Sequence, residues 1–203
     1  MNNKTQLTAA DIMDTAEYAA KRKDIRKAMI EMKKNRRQAV GPAIMLYFEN
    51  FETMLYQVHE MVLAEKGGAE QVEDELTSYA PLVPNGNELV ATMMLEYTDA
   101  DIRARELAKL GGIEEYVTLT IEADNNIEKI QATWEQDVDR TSPEGKTSSI
   151  HFLHFPFTDE QIKKYNQSEA KIILALNHPN YGHMAVLSEV IKNTLGADFK
   201  QIN

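Results

Sequence analysis

The residues of this chain that could do chemistry fall into four groups. The first is cationic: residues 21–37 hold nine basic side chains against two acidic ones, Asp24 and Glu31. With about 100° between successive helical residues, Arg22, Arg26, Lys33 and Arg37 fall in one stripe beside an apolar face. Such a stripe can grip an anionic ligand or dock on carboxylates of the same chain or of a partner. Arg36 projects onto the apolar face itself. A guanidinium there must meet a carboxylate or a ligand, because burying it unpaired costs on the order of several kcal/mol. The second group is Glu49, Glu52, Tyr56 and His59, which share one sector next to an apolar stripe. Carboxylates and an imidazole at the edge of a core are the material of a carboxylate–histidine metal site. The ferritin-like pattern, however, needs a Glu three residues before the His, and that position is Tyr56.

The third group is the histidines of the second half. On a strand, His151 and His154 point to opposite faces. His178 ends a strand ahead of Pro179, and His183 is expected at the start of a final helix. Two histidines with Glu49 or Glu96 suit zinc or iron, and Glu49, His151 and His178 are the set expected to take a divalent metal, with a bound water as nucleophile. The fourth group is the turn Pro84-Asn85-Gly86-Asn87-Glu88, whose polar side chains could line a pocket. The chain carries no Gly-x-Gly-x-x-Gly, Walker, Gly-x-Ser-x-Gly or His-Glu-x-x-His motif.

Elements must position these groups. Thr8 with Asp11 reads as the cap of a short first helix, followed by a helix over 17–38 with Tyr18, Ile25, Met29 and Met32 on one face. Gly41-Pro42 breaks it, and Pro42 suits the first turn of a helix over 42–66 that carries Ile44, Phe48, Phe51, Leu55, Val58 and Val62 as one stripe. A shorter helix over 69–78 follows. The period then changes: a strand over 88–97, a helix over 99–110, and an alternating strand over 116–123. The turn Asp124-Asn125-Asn126 leads to a partner strand with Ile130, Ala132 and Trp134 on one face. Ser142-Pro143-Glu144-Gly145 turns the chain into a strand over 148–157, Thr158 and Gln161 form a capping box, 170–177 is a buried strand, and the last helix covers 183–195. The expected fold is α+β: a helical N-terminal third (1–80) packed on a roughly five-stranded, mostly antiparallel sheet (81–203), forming a single domain over 1–203.

Composition narrows the function classes. The 203 residues carry 22 Lys+Arg against 32 Asp+Glu, for a net charge of −10, which argues against sequence-independent nucleic-acid binding. Outside 21–37 the balance is thirteen basic to thirty acidic, so one cationic helix faces an acidic body. There is no cysteine. That excludes disulfides, thiolate-held zinc, and an iron–sulfur cluster or covalent haem carried by this chain. No run approaches the ~18 apolar residues of a membrane span. Residues 1–6 lack the features of a signal peptide and 198–203 carry no lipidation signal, so a cytoplasmic location is expected.

Several of these segments together resemble a bacterial family of unknown function, domain-of-unknown-function family 3501. The matching features are Arg36-Arg37 with Gly41-Pro42, Phe48-Glu49-Asn50, Gln57-Val58-His59-Glu60-Met61 with Glu65, and Pro84-Asn85-Gly86-Asn87-Glu88-Leu89 followed by Ala91-Thr92 and Glu96. They continue with His151-Phe152-Leu153 and Phe155, then His178-Pro179-Asn180-Tyr181. The chain departs from the family pattern at Phe51 and His154, where arginine is more usual. The resemblance implies a site gathering Arg36, Glu49, Asn87, Glu88, Glu96, His151 and His178. Members are often encoded near rubrerythrin-like proteins, which implies a ligand-binding or accessory protein of a redox or peroxide-defence system with a redox-protein partner. The alternatives are a metal-dependent enzyme using Glu49, His151 and His178, and a structural homo-oligomer subunit in which the same polar residues form an internal salt-bridge network.

Overall fold

The computed structural model describes residues 4–134 and 140–202; residues 1–3 and 203, within the terminal segments read above, lie outside them. Alternation of apolar and polar residues builds two four-stranded antiparallel sheets. The first holds β1 (Arg37–Val40), β2 (Ile44–Glu49), β3 (Glu88–Leu95) and β6 (Ile150–Pro156), in that order. The second runs β5 (Asn126–Gln131), β4 (Val117–Ala123), β7 (Lys171–His178), β8 (Tyr181–Val186). The helices are α1 (Thr15–Lys34), α2 (Phe51–Glu65), α3 (Gly68–Tyr79), α4 (Ala100–Leu107), α5 (Asp159–Tyr165) and α6 (Glu189–Gly196). The fold is α+β. The strand count expected from the sequence is corrected from about five in one sheet to eight in two among the described residues.

Two stretches differ from the sequence reading, each for a physical reason. Residues 37–49 form a β-hairpin where the sequence suggested the end of one helix and the start of the next. Ile44 and Phe48 lie four apart, a spacing that satisfies both a helical face and one side of a strand. The buried residue between them, Leu46, decides for the strand. Gly41 makes the hairpin tip. Its φ is +72°, and a Cβ there would come within 2.6 Å of the Tyr181 hydroxyl and the His183 ring. The N-terminal third therefore supplies half of the first sheet as well as helices. The second correction concerns 181–186, since the last helix is expected from the sequence to open at 183. Pro179-Asn180 turns β7 back on itself, His178 pairs with Tyr181, and His183 lies on β8.

The sheets face each other across one core, with Leu46, Phe48, Met93, Leu153 and Phe155 from the first and Leu119, Ile121, Ile172, Leu174 and Leu176 from the second. Burying each such side chain contributes about 1.5–3 kcal/mol. Both seams are stitched by hydrogen bonds. Thr133 and His154 exchange backbone bonds of 2.8 Å, and the Tyr181 hydroxyl donates to the Val40 carbonyl at 2.8 Å. The other face of the first sheet carries Val90, covered by Met54, Val58 and Val62 of α2 and by Leu7, Leu82 and Val83. The molecule is thus layered as helix, sheet, sheet. α1 lies on α2 through the Tyr18–His59 ring stack, centroids 4.5 Å apart, and through two bonds from Arg22 to Glu60 at 2.8 and 2.7 Å. Among the described residues no helix is long and apolar enough to cross a membrane.

Candidate functional site

Arg36 sits between α1 and β1, and its carbonyl accepts the Phe48 N–H at 2.7 Å, which fixes its backbone at the head of the hairpin. Its side chain is 5 % exposed and makes a bidentate pair with Asp198 at 2.8 and 2.5 Å, with a further contact of 3.5 Å to the Glu49 carbonyl. The carboxylate that Arg36 requires is thus Asp198, 162 positions away. Burial pushes the Asp198 carboxyl up, Arg36 pulls it down, and the nearby charge of Glu52 pushes it up again.

This pair floors a cleft of about 750 Å³. Its walls come from distant segments: Thr5 of the N-terminal arm, Asn50 and Glu52 at the start of α2, Asn85 and Gly86 of the turn before β3, and Ala197–Gln201 after α6. A smaller recess lined by Lys4, Phe51 and Pro84 shares Asn50, Glu52 and Asp198 with it. The turn is held in place by its own polar groups. Asn85 Oδ1 accepts the Asn87 N–H at 2.8 Å, Glu88 accepts the Asn85 N–H at 3.3 Å, and the Gly86 carbonyl takes the Lys200 N–H at 2.8 Å. Gly86 has φ +90°, which a side chain would strain.

The residues expected to share a site are only partly brought together. Arg36 and Glu49 meet at the cleft end of the first sheet, where Asn87 and Glu88 continue the lining turn. Glu49 is buried under the first turn of α2, and its two oxygens accept hydroxyl hydrogens from Thr53 and Thr92 at 2.6 and 2.7 Å. Glu88 also faces His154 Nδ1 at 3.0 Å. Asn87 gives its carbonyl to Phe157 N–H at 2.8 Å, while its side-chain oxygen is buried without a hydrogen-bond partner among the described residues. Glu96 lies past the other end of β3, about 26 Å along the strand direction from Glu88, and accepts from the Tyr47 hydroxyl at 2.7 Å.

The three residues expected to hold a metal are separated. Glu49 pairs in register with Val90, on the helix-covered face of the first sheet, whereas His151 pairs with Met93, on the core face. His178 belongs to the other sheet. It accepts the Asn180 N–H at Nδ1 (3.1 Å) and meets the edge of Tyr116 at 4.9 Å. Among the described residues no three His, Asp or Glu side chains gather as a metal ion's ligands do. His151 is 1 % exposed. Its Nε2 faces the Ser148 carbonyl at 3.0 Å and the Thr147 hydroxyl at 3.1 Å, and its Nδ1 lies 3.4 Å from Glu114 Oε2. Neither atom of that last pair finds a hydrogen bond among the described residues. Burial lowers the His151 pKa, with Glu114 acting in the opposite sense. Glu114 and Tyr116 both belong to the short 3-10 turn Ile113–Tyr116, so this turn contacts both histidines.

Sequence reasoning missed Asp198, Lys200 and Glu114. The demand of a buried Arg36 for a carboxylate was the available signal, but it does not say which one. Of the basic stripe, Arg22 docks on Glu60, whose carboxyl it holds down to about 2, with the Tyr18 hydroxyl adding a bond at 2.6 Å. His59 accepts the Met13 N–H at Nε2 (2.8 Å), and burial keeps its pKa low.

The fold has a solved counterpart. A crystal structure described as a novel protein of unknown function from Burkholderia pseudomallei K96243 superposes with a TM-score of 0.86 at 32 % identity, covering 96 % of this chain and all (100 %) of that one. No curated protein matches. The model of the family described as protein of unknown function DUF3501 matches residues 6–199, and the chain belongs to that family.

Proposed function

We propose that this protein binds a small polar ligand in the cleft above Arg36 and Asp198. The observation that carries the reading is a buried, bidentate ion pair at the floor of an open cleft of about 750 Å³. A purely structural ion pair has no need of open space beside it, and the cleft lies directly against this one. Here the chain instead holds four separated segments around it. The ligand-binding reading is also preferred to the metal-dependent enzyme, because Glu49 and His151 lie on opposite faces of one sheet. The accessory role beside a cytoplasmic redox protein comes from the family resemblance. In that setting a chain without cysteine supplies a ligand site or a docking surface, while thiol or cluster electrons come from the partner.

The test is an amide NMR titration with mixtures of small polar metabolites. Binders should shift the amides of Gly86, Asn50 and Lys200 and lose affinity in Asn85→Ala. Binders that shift other regions only, or that bind Asn85→Ala equally well, overturn the reading.

A further inference from the structure

The charges lining the cleft are unequally spent. Lys4 of the adjoining recess pairs with Asp11, and in the cleft Arg36 pairs with Asp198 and Lys200 with Asp159 at 2.8 Å. Glu52 is the exception: it is exposed and makes no ion pair among the described residues, and its charge is felt by Asp198. Asp198 gives each of its oxygens to one Arg36 nitrogen, yet a carboxylate has about four lone-pair sites, so about half remain free. The lining therefore presents acceptor capacity and one uncompensated negative charge. Its cations, Arg36 and Lys200, each already face a carboxylate.

From this arrangement we infer that the cleft takes an organic cation of the alkylamine class, its ammonium seated between Glu52 and Asp198. The inference rests on the ligand-binding reading above and specifies its ligand. An ammonium has three donors and no acceptor, which matches two carboxylates that both line the cleft. The body of such a ligand would lie along Met32 and Phe199, the apolar part of the lining. Polar substituents would find the amides of Asn85 and Gln201, which hold no donor bond to the protein among the described residues, and that of Asn50, whose nitrogen reaches only the Met32 sulfur at 3.9 Å. An anion bound at Arg36 would have to displace Asp198 and leave a buried carboxylate unpaired. An anion would also approach Glu52. The same electrostatics that admit an amine therefore reject an acid of equal size.

The experiment is an amide NMR titration of the full chain with n-butylammonium, with butyrate and n-butanol as the oppositely charged and neutral probes. Butylammonium should shift Gly86, Asn50 and Lys200, Glu52→Gln should weaken it at least fivefold, and 0.5 M salt should weaken it further, while butyrate leaves those amides in place. Glu52 is exposed, so Glu52→Gln retains the fold, and its unshifted core amides verify this. Butyrate or butanol shifting the same amides as strongly, or Glu52→Gln binding butylammonium unchanged, overturns the amine class and leaves the cleft reading standing. If none of the three probes shifts the cleft amides and the metabolite mixtures do not either, both readings fall together.

Discussion

Glu49 and Glu114 are both buried carboxylates on or beside the same sheet, and they are treated in opposite ways. Glu49 lies on the helix side, where Thr53 and Thr92 each give it a hydroxyl hydrogen. Glu114 lies on the core side, where its Oε2 faces His151 Nδ1 at 3.4 Å without a hydrogen bond among the described residues. His151 Nε2 faces a carbonyl, so the ring proton belongs on Nε2 and Nδ1 is a bare acceptor turned toward another acceptor. The cleft side of the molecule thus satisfies its buried charges and the inter-sheet side leaves two groups wanting. Packing can be complete in both places while polar satisfaction differs, and the two contribute to stability separately.

The comparison can be broken most severely at Arg36. Arg36→Met leaves Asp198 buried without its partner, an unpaired charge on the side where the buried charges are otherwise satisfied. A loss of about 3–5 kcal/mol is expected, read by urea denaturation, and a loss under 1 kcal/mol would show the pair to be marginal. Next come two substitutions of opposite sign. Thr92→Val keeps the shape but removes one hydroxyl from Glu49, at a cost of about 1.5–3 kcal/mol. Glu114→Gln turns an acceptor into a donor opposite His151 Nδ1 and should stabilise by about 1 kcal/mol. If both destabilise equally, the contrast between the two carboxylates is wrong.

At the turn the expected loss is smaller than that of Thr92→Val. Gly86→Ala forces a side chain into a left-handed backbone, costing about 1–2 kcal/mol and weakening ligands that contact this turn. The smallest effect is in acid. Glu60 is held down to about 2 from its ordinary 4.5, chiefly by Arg22, so its contribution is complete above pH 4.5 and lost as pH falls toward 2. In Arg22→Met the stability profile over that window should flatten, as thermal melts at successive pH values would record.

Much of this architecture was legible locally. Val117, Leu119 and Ile121 alternate as a strand must, Asp124 and Asn125 occupy the positive-φ positions their types tolerate, and Thr158 makes its capping box with Gln161. Legibility ended where one pattern served two periods, as with Ile44 and Phe48. It also ended at the strand 181–186, whose exposed Met184 and Val186 give no amphipathic signature. The candidate site was half legible. A buried arginine announces that it needs a carboxylate, but the identity of Asp198 is decided by topology, which residue spacing does not encode. The metal set failed to assemble because strand faces alternate, so a register read from each segment alone cannot say which face of the sheet meets which.

The 162 positions between Arg36 and Asp198 also bear on how the protein is made. Closing so long a loop is entropically expensive and slow compared with forming the hairpin of β1 and β2. On a ribosome, Arg36 emerges well before its partner exists. The early chain must therefore leave that guanidinium in water while sheets and helices form, and bury it only once residue 198 has been made. The cleft is accordingly a late product of synthesis: nascent chains halted before residue 198 should carry strands and helices but no binding site.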